Sequence, residues 1–168
     1  MVLTKAELIA SLQNEVRILL HLAGKVDAKS VDYRPTPKQR STIEWLRYLT
    51  LMGPGLTLGA KTGAFDGAAW GAAQAKADAM NLEQVVAEIA KQPEFFAKEI
   101  GAMSDAEFRE EIEMFGQKFT KGACLVNMVL SGYAAYRTQI FNHLKACGRE
   151  ELNTMNLWAG IDAPAAKP

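Results

Sequence analysis

The chain has 168 residues, of which 49% are apolar and 23% charged, and its 19 acidic and 19 basic side chains give a formal net charge of +0. That length suits one domain able to bury a real core. The charge balance offers no electrostatic reason to expect nucleic acid or an anionic membrane surface as a partner, and no apolar run approaches the ~20 residues that cross a bilayer. The N-terminus carries Glu7 and Glu15 within an amphipathic pattern, so it does not read as a signal peptide, and a cytoplasmic location is expected.

Thr4 and Glu7 form a T-x-x-E capping box that opens a first helix, predicted over 5–26. Ile9, Leu12, Val16, Leu19, Leu20 and Ala23 supply its core face. Ile18 and Leu22 fall on the other side, beside His21 and Asn14. The apolar arc is therefore wide enough for a further helix or a dimer partner. His21 reads as a surface histidine. Pro35 and Pro37 exclude helix from residues 27–41. Ser41 and Glu44 then make a second capping box and open helix 2, with Ile43, Trp45, Leu46, Leu49 and Met52 inside. Gly53-Pro54-Gly55 predicts a break or kink.

Residues 56–80 alternate glycine and alanine too freely for a firm assignment, since glycine costs about 1 kcal/mol in a helix interior. The pattern suggests a frayed extension of helix 2, a loop near 62–67, and a short helix at 68–79. Gly59-Ala60-Lys61-Thr62 lacks the glycine before lysine and the preceding strand of a phosphate-binding loop. Asn81 and Gln84 cap helix 3, which Pro93 should kink or split. Ser104 and Glu107 predict a short helix at 105–112. Residues 115–120 then link to a long helix between Thr120 and Gly148. No strand is expected.

Cys124 and Cys147 lie in that long helix, 23 residues or about 34 Å apart, too far to pair. Both are expected reduced. Gly132, Tyr136, Gln139 and His143 form a stripe beside the helix's apolar face. A stripe at the edge of a core face looks into a cleft, so Tyr136, Gln139 and His143 are candidate binding residues. After Gly148 a tail containing Leu157 and Trp158 should pack back onto the bundle. The domain is read as 1–162, with 163–168 disordered. The elements sum to an all-α four-helix bundle whose long links after helices 1 and 2 allow crossover connections.

Three stretches carry a resemblance. YRPTPKQRSTIEWLRYL has the proline-containing loop and capped helix of DinB-like proteins, VLSGYAAYRTQIFNHLKACG resembles their long fourth helix, and the short tail with Trp158 is also typical. The resemblance implies a four-helix bundle with non-meandering connectivity, a homodimer, and in many members a divalent metal held by three histidines. Carried onto this chain, those ligand positions fall at Tyr48, Gly132 and Tyr136, which sets Tyr48 across from Tyr136 and makes it a fourth candidate binding residue. Two phenols and a glycine do not make a zinc or nickel site at neutral pH, because a phenol of pKa about 10 must first lose its proton. No metal and no other cofactor is therefore expected. The reading is a metal-free protein that binds a small molecule between helices 2 and 4 or acts as a dimeric module. The alternative is an enzyme related to the thiol-dependent transferases.

Overall fold

The computed structural model describes residues 3–164. Helix α1 spans Lys5–Ala23, α2 Thr42–Thr62, α3 Gly67–Asp78, α4 Leu82–Ile89, α5 Gln92–Gly101 and α6 Asp105–Phe108. Strands β1 (Glu111–Met114) and β2 (Gln117–Thr120) follow. The long helix then runs as α7 (Lys121–Cys124), a π-helical turn over Leu125–Leu130, and α8 (Ser131–Ala146). A second π-helical turn, Met155–Ala159, follows.

The four capping boxes form as their spacing dictates. Thr4, Ser41, Asn81 and Ser104 each accept from the backbone N–H three residues on, and each helix returns a side chain to the cap. Pro93 splits helix 3 into α4 and α5 by taking one of the first positions of α5, where its missing N–H costs nothing.

Helix α1 packs on α5 and α8, and α2 packs on α4, α5, α8 and the first π turn, so α1 and α2 lie across the bundle's diagonal. The link after α1 therefore crosses the bundle. The equally long link after α2 does not: it carries α3 back against α2 and delivers the chain to a neighbour of α2. The tyrosine of the fourth helix, Tyr133, sits at the centre of the core with Leu12, Leu46, Met52, Phe96 and Ile140.

Helix α2 does not break at Gly53-Pro54-Gly55. It continues to Thr62, with Pro54 inside it. Proline at 54 deprives the Thr50 carbonyl of its helical partner. Gln92, at the start of α5, replaces it: its Nε2 donates to Leu49 O at 2.8 Å and to Thr50 O at 3.1 Å. The Gln92 Oε1 in turn accepts from the Tyr133 hydroxyl at 2.6 Å. Gly53 leaves the room that phenol needs, because a β-carbon there would collide with the Tyr133 hydroxyl.

The segment 105–120 also departs from expectation. The predicted helix stops at Phe108, and Glu111–Met114 pairs antiparallel with Gln117–Thr120. Glu111-Ile112-Glu113-Met114 alternates exposed and buried, a period of two that no helix satisfies. Phe115 and Gly116 join the strands with φ of 53° and 74°, the left-handed pair of a two-residue hairpin. The hairpin docks on glycines of α2: a β-carbon at Gly59 would lie 3.2 Å from Met114 Cε, and one at Gly63 3.2 Å from Ile112 Cγ2.

The outer face of α1 is covered by this chain's own C-terminal segment. Ile18 and Leu22 are buried, and Gly160 packs directly on Ile18. Arg137 donates to both oxygens of Glu15 on α1, at 2.5 and 3.2 Å, and to the Leu157 carbonyl. The arginine thus ties the long helix to α1. Arg17 donates to the carbonyls of Ala159 and Gly160 at 2.8 and 3.3 Å. Trp158 packs back as expected, its ring 5.6 Å from the Arg137 guanidinium, though it stays 68% exposed. Of the tail expected to be disordered, residues 165–168 lie outside the described residues.

The Gln92 contacts make a direct prediction. Gln92→Met keeps the volume but strands the Tyr133 hydroxyl and the Thr50 carbonyl, and should cost roughly 2–4 kcal/mol in urea unfolding. Adding Pro54→Ala, which returns an N–H to the Thr50 carbonyl, should recover part of that loss.

Candidate functional site

The capping box at Ser41 fixes where α2 begins, and helical spacing then lines Trp45, Tyr48 and Met52 along one side of it. The long helix runs antiparallel to that side. His143 meets Thr42, Tyr136 meets Trp45 and Tyr48, and Gly132 meets Met52. The Trp45 and Tyr136 rings stack with centroids 4.7 Å apart. Tyr48 stands edge-on to Tyr136 at 5.3 Å and to Trp70 of α3 at 6.0 Å. Arg40, the residue before the cap, holds its guanidinium 4.3 Å from the Tyr48 ring and 5.1 Å from Trp45.

A cavity of about 280 Å³ opens beside these rings, bounded by Tyr48, Met52, Met128, Ser131, Gly132 and Tyr136 among others. It lies where the π turn gives way to α8. There Ser131 N–H bonds the carbonyl of Val126, five residues back, and the Ser131 hydroxyl donates to the Asn127 carbonyl. Such a turn inserts one residue into the helix and so rotates the face that follows it.

Of the four candidate binding residues, the structure brings Tyr48 and Tyr136 together on this cavity and leaves two outside it. Gln139 is exposed. His143 is buried, with Nδ1 3.1 Å from the Thr42 hydroxyl and Tyr33 edge-on at 5.3 Å. The reason is Trp45, whose ring fills the cleft against Tyr136, so the stripe beyond that point no longer faces an open space. Helical phase gave no sign of the plug. Arg40, Trp70, Met128 and Ser131 are the site residues that sequence reasoning missed. Only Arg40 carried a local signal, since a residue before the N-cap folds back over the fourth helical residue, here Trp45.

The three positions that the resemblance equates with metal ligands, Tyr48, Gly132 and Tyr136, all border the cavity. Their chemistry does not fit a divalent metal. Burial, and after it the neighbouring Tyr136, pushes the Tyr48 phenol up to about 12, so it stays protonated near neutral pH. At Gly132 a side chain would start only 3.1 Å from Met52 Cε, so the methionine occupies the space a ligand would need. Among the described residues no cluster of three His, Cys, Asp or Glu could hold a metal. His21 is partly buried: Asn156 Nδ2 lies 3.0 Å from its Nε2 and the Asp162 carboxylate 3.7 Å. Neither cysteine is activated. Burial pushes the Cys124 thiol up, and burial with the Asp27 charge does the same to Cys147.

No protein-family model matches the chain, and no curated protein sequence matches it. Among solved structures, the crystal structure of a DinB-like protein, YjoA of Bacillus subtilis, is similar with a TM-score of 0.66 and 16% identity, covering 87% of this chain and 94% of that one. At that identity the likeness is one of fold: this chain has the all-α architecture of a DinB-like protein.

Two titrations follow from the geometry. Tyr48, one of four tyrosines, should stay protonated at pH 11, so Tyr48→Phe should leave the native protein's 295 nm absorbance rise up to that pH unchanged. Burial holds the folded His143 pKa below its ordinary value. The unfolded chain therefore binds the proton more readily, and the contribution of His143 is complete above pH ~6.5 and is lost as pH falls through the folded value. The stability gap between wild type and His143→Gln, measured by urea unfolding, should shrink from pH 7.5 to pH 5.

Proposed function

We propose that this chain is a small-ligand-binding protein of the DinB-like fold that works without a metal ion, its ligand seated between α2 and the long helix. The observation that carries this reading is the cavity at Tyr48, Gly132 and Tyr136, which stands where the resemblance places a metal and has walls of another chemistry. Two phenols and two methionines offer flat, polarizable apolar surface, and Ser131 and Asn127 add a few polar groups at one edge. That is the composition of a site for a compact organic molecule. The walls carry no carboxylate, imidazole or thiol, so the reading assigns binding and no chemical step.

The test has two arms. Untagged protein offered zinc and nickel and then dialysed should retain only a small fraction of an equivalent by elemental analysis; near-stoichiometric retention would overturn the metal-free reading. Fragments that raise Tm in wild type should lose their effect in Ala135→Trp, which fills the cavity from its rim. Unchanged shifts would remove the ligand from this cleft.

A homodimer is proposed alongside it. Leu58, Phe65 and Phe115 are 43%, 37% and 60% exposed. Phe65 lines an apolar hollow of about 420 Å³ between α2 and α3, and the Phe115 ring lies 5.1 Å from it. A second copy covering this patch predicts a dimer by sedimentation equilibrium, and a monomer for Phe115→Ser with unaltered helical content.

A further inference from the structure

We infer that the ligand of this cleft is a small organic carboxylate, its apolar body in the cavity and its charge on Arg40; this rests on the ligand-binding reading above. In an α-helix opened by a capping box, the residue before the cap and the fourth helical residue come together, usually as two apolar side chains. Three of the four boxes here keep that composition, with Leu3 and Leu8, Met80 and Val85, and Met103 and Phe108 at the two places. At the box beside the cavity the pair is Arg40 and Trp45. The guanidinium is held by aromatic faces, over both Trp45 and Tyr48, as a cation–π contact.

That contact engages none of the guanidinium's N–H donors in a hydrogen bond. Among the described residues Arg40 makes no ion pair and no side-chain hydrogen bond. The nearby acids are already engaged. Glu44 caps the helix through Ser41 N–H and pairs with Arg34 at 3.0 Å, and Asp78 accepts from Gln74 at 2.8 Å. Arg34, Lys38 and Arg40 border the same polar hollow as those two acids, so the local balance is positive. An unpaired planar fork suits a carboxylate, which it can take bidentately. The ring under it, Tyr48, is itself a wall of the cavity, so a molecule lying along that ring meets apolar surface at one end and the guanidinium at the other. No cavity wall is acidic, so none would pair with a cationic ligand.

The experiment titrates the purified protein with three probes of one shape and different charge: phenylpropionate, phenylpropionamide and phenylpropylamine. Tryptophan fluorescence and the ring signals of Tyr48 and Tyr136 in NMR report binding. Phenylpropionate should bind about tenfold more tightly than the amide at low salt, and the advantage should shrink as salt is raised. Arg40→Met, which keeps the apolar stem, should remove that advantage while leaving the amide's affinity as it was; circular dichroism checks that the exposed substitution leaves the fold intact. Equal binding of acid and amide, or tightest binding by the amine, overturns the carboxylate and spares the cleft. Failure of all three to move the Tyr48 and Tyr136 signals overturns both.

Discussion

The helix that carries half of the site exists in one piece because a glutamine from another helix repairs it. Pro54 opens a gap in the hydrogen bonding of α2, and Gln92 closes it with a bond to the Thr50 carbonyl, which would otherwise lack a partner, and a second bond to the Leu49 carbonyl. Tyr133 holds the glutamine from its other end. Three of the bundle's four layers are therefore joined through one buried amide. Without it, the Thr50 carbonyl would lack a partner midway between the turn of α2 that bears Trp45 and Tyr48 and the turn that bears Leu56. The walls of the cavity come from both turns.

This arrangement also explains what could be read from the sequence and what could not. Capping boxes are local, and all four were legible because each needs only four consecutive residues. The continuity of α2 was not, since the donor that rescues it lies 38 residues beyond the proline in the chain. The hairpin was overlooked for a related reason. Ser104 and Glu107 announce a helix start, but Ile112 and Met114 alternate because α2 presents glycines for them to rest on. The resemblance grouped Tyr48, Gly132 and Tyr136 correctly in space, while helical phase alone placed Gln139 and His143 beside them. Phase describes one helix; it does not know that an indole from the next helix has filled the cleft.

The site combines two uses of aromatic side chains that ordinarily occur apart. Trp45 and Tyr136 stack as core residues do and close one end of the space. Tyr48 is shared: one neighbour is Tyr136 and another is a guanidinium. Met52 is pressed against Gly132, so the cavity is shaped by the packing of flexible thioether and flat phenol side chains.

The C-terminal segment covers Ile18 on α1 and ties itself to Glu15 through Arg137 and to Arg17 through its carbonyls. Its contacts reach back across more than 130 residues, as the Arg17 to Gly160 bond does. During synthesis, then, the outer face of the first helix stays uncovered until the segment around Gly160 has been made. The bundle can assemble its interior earlier, and a chain halted before Leu157 would carry an apolar strip that the folded domain covers.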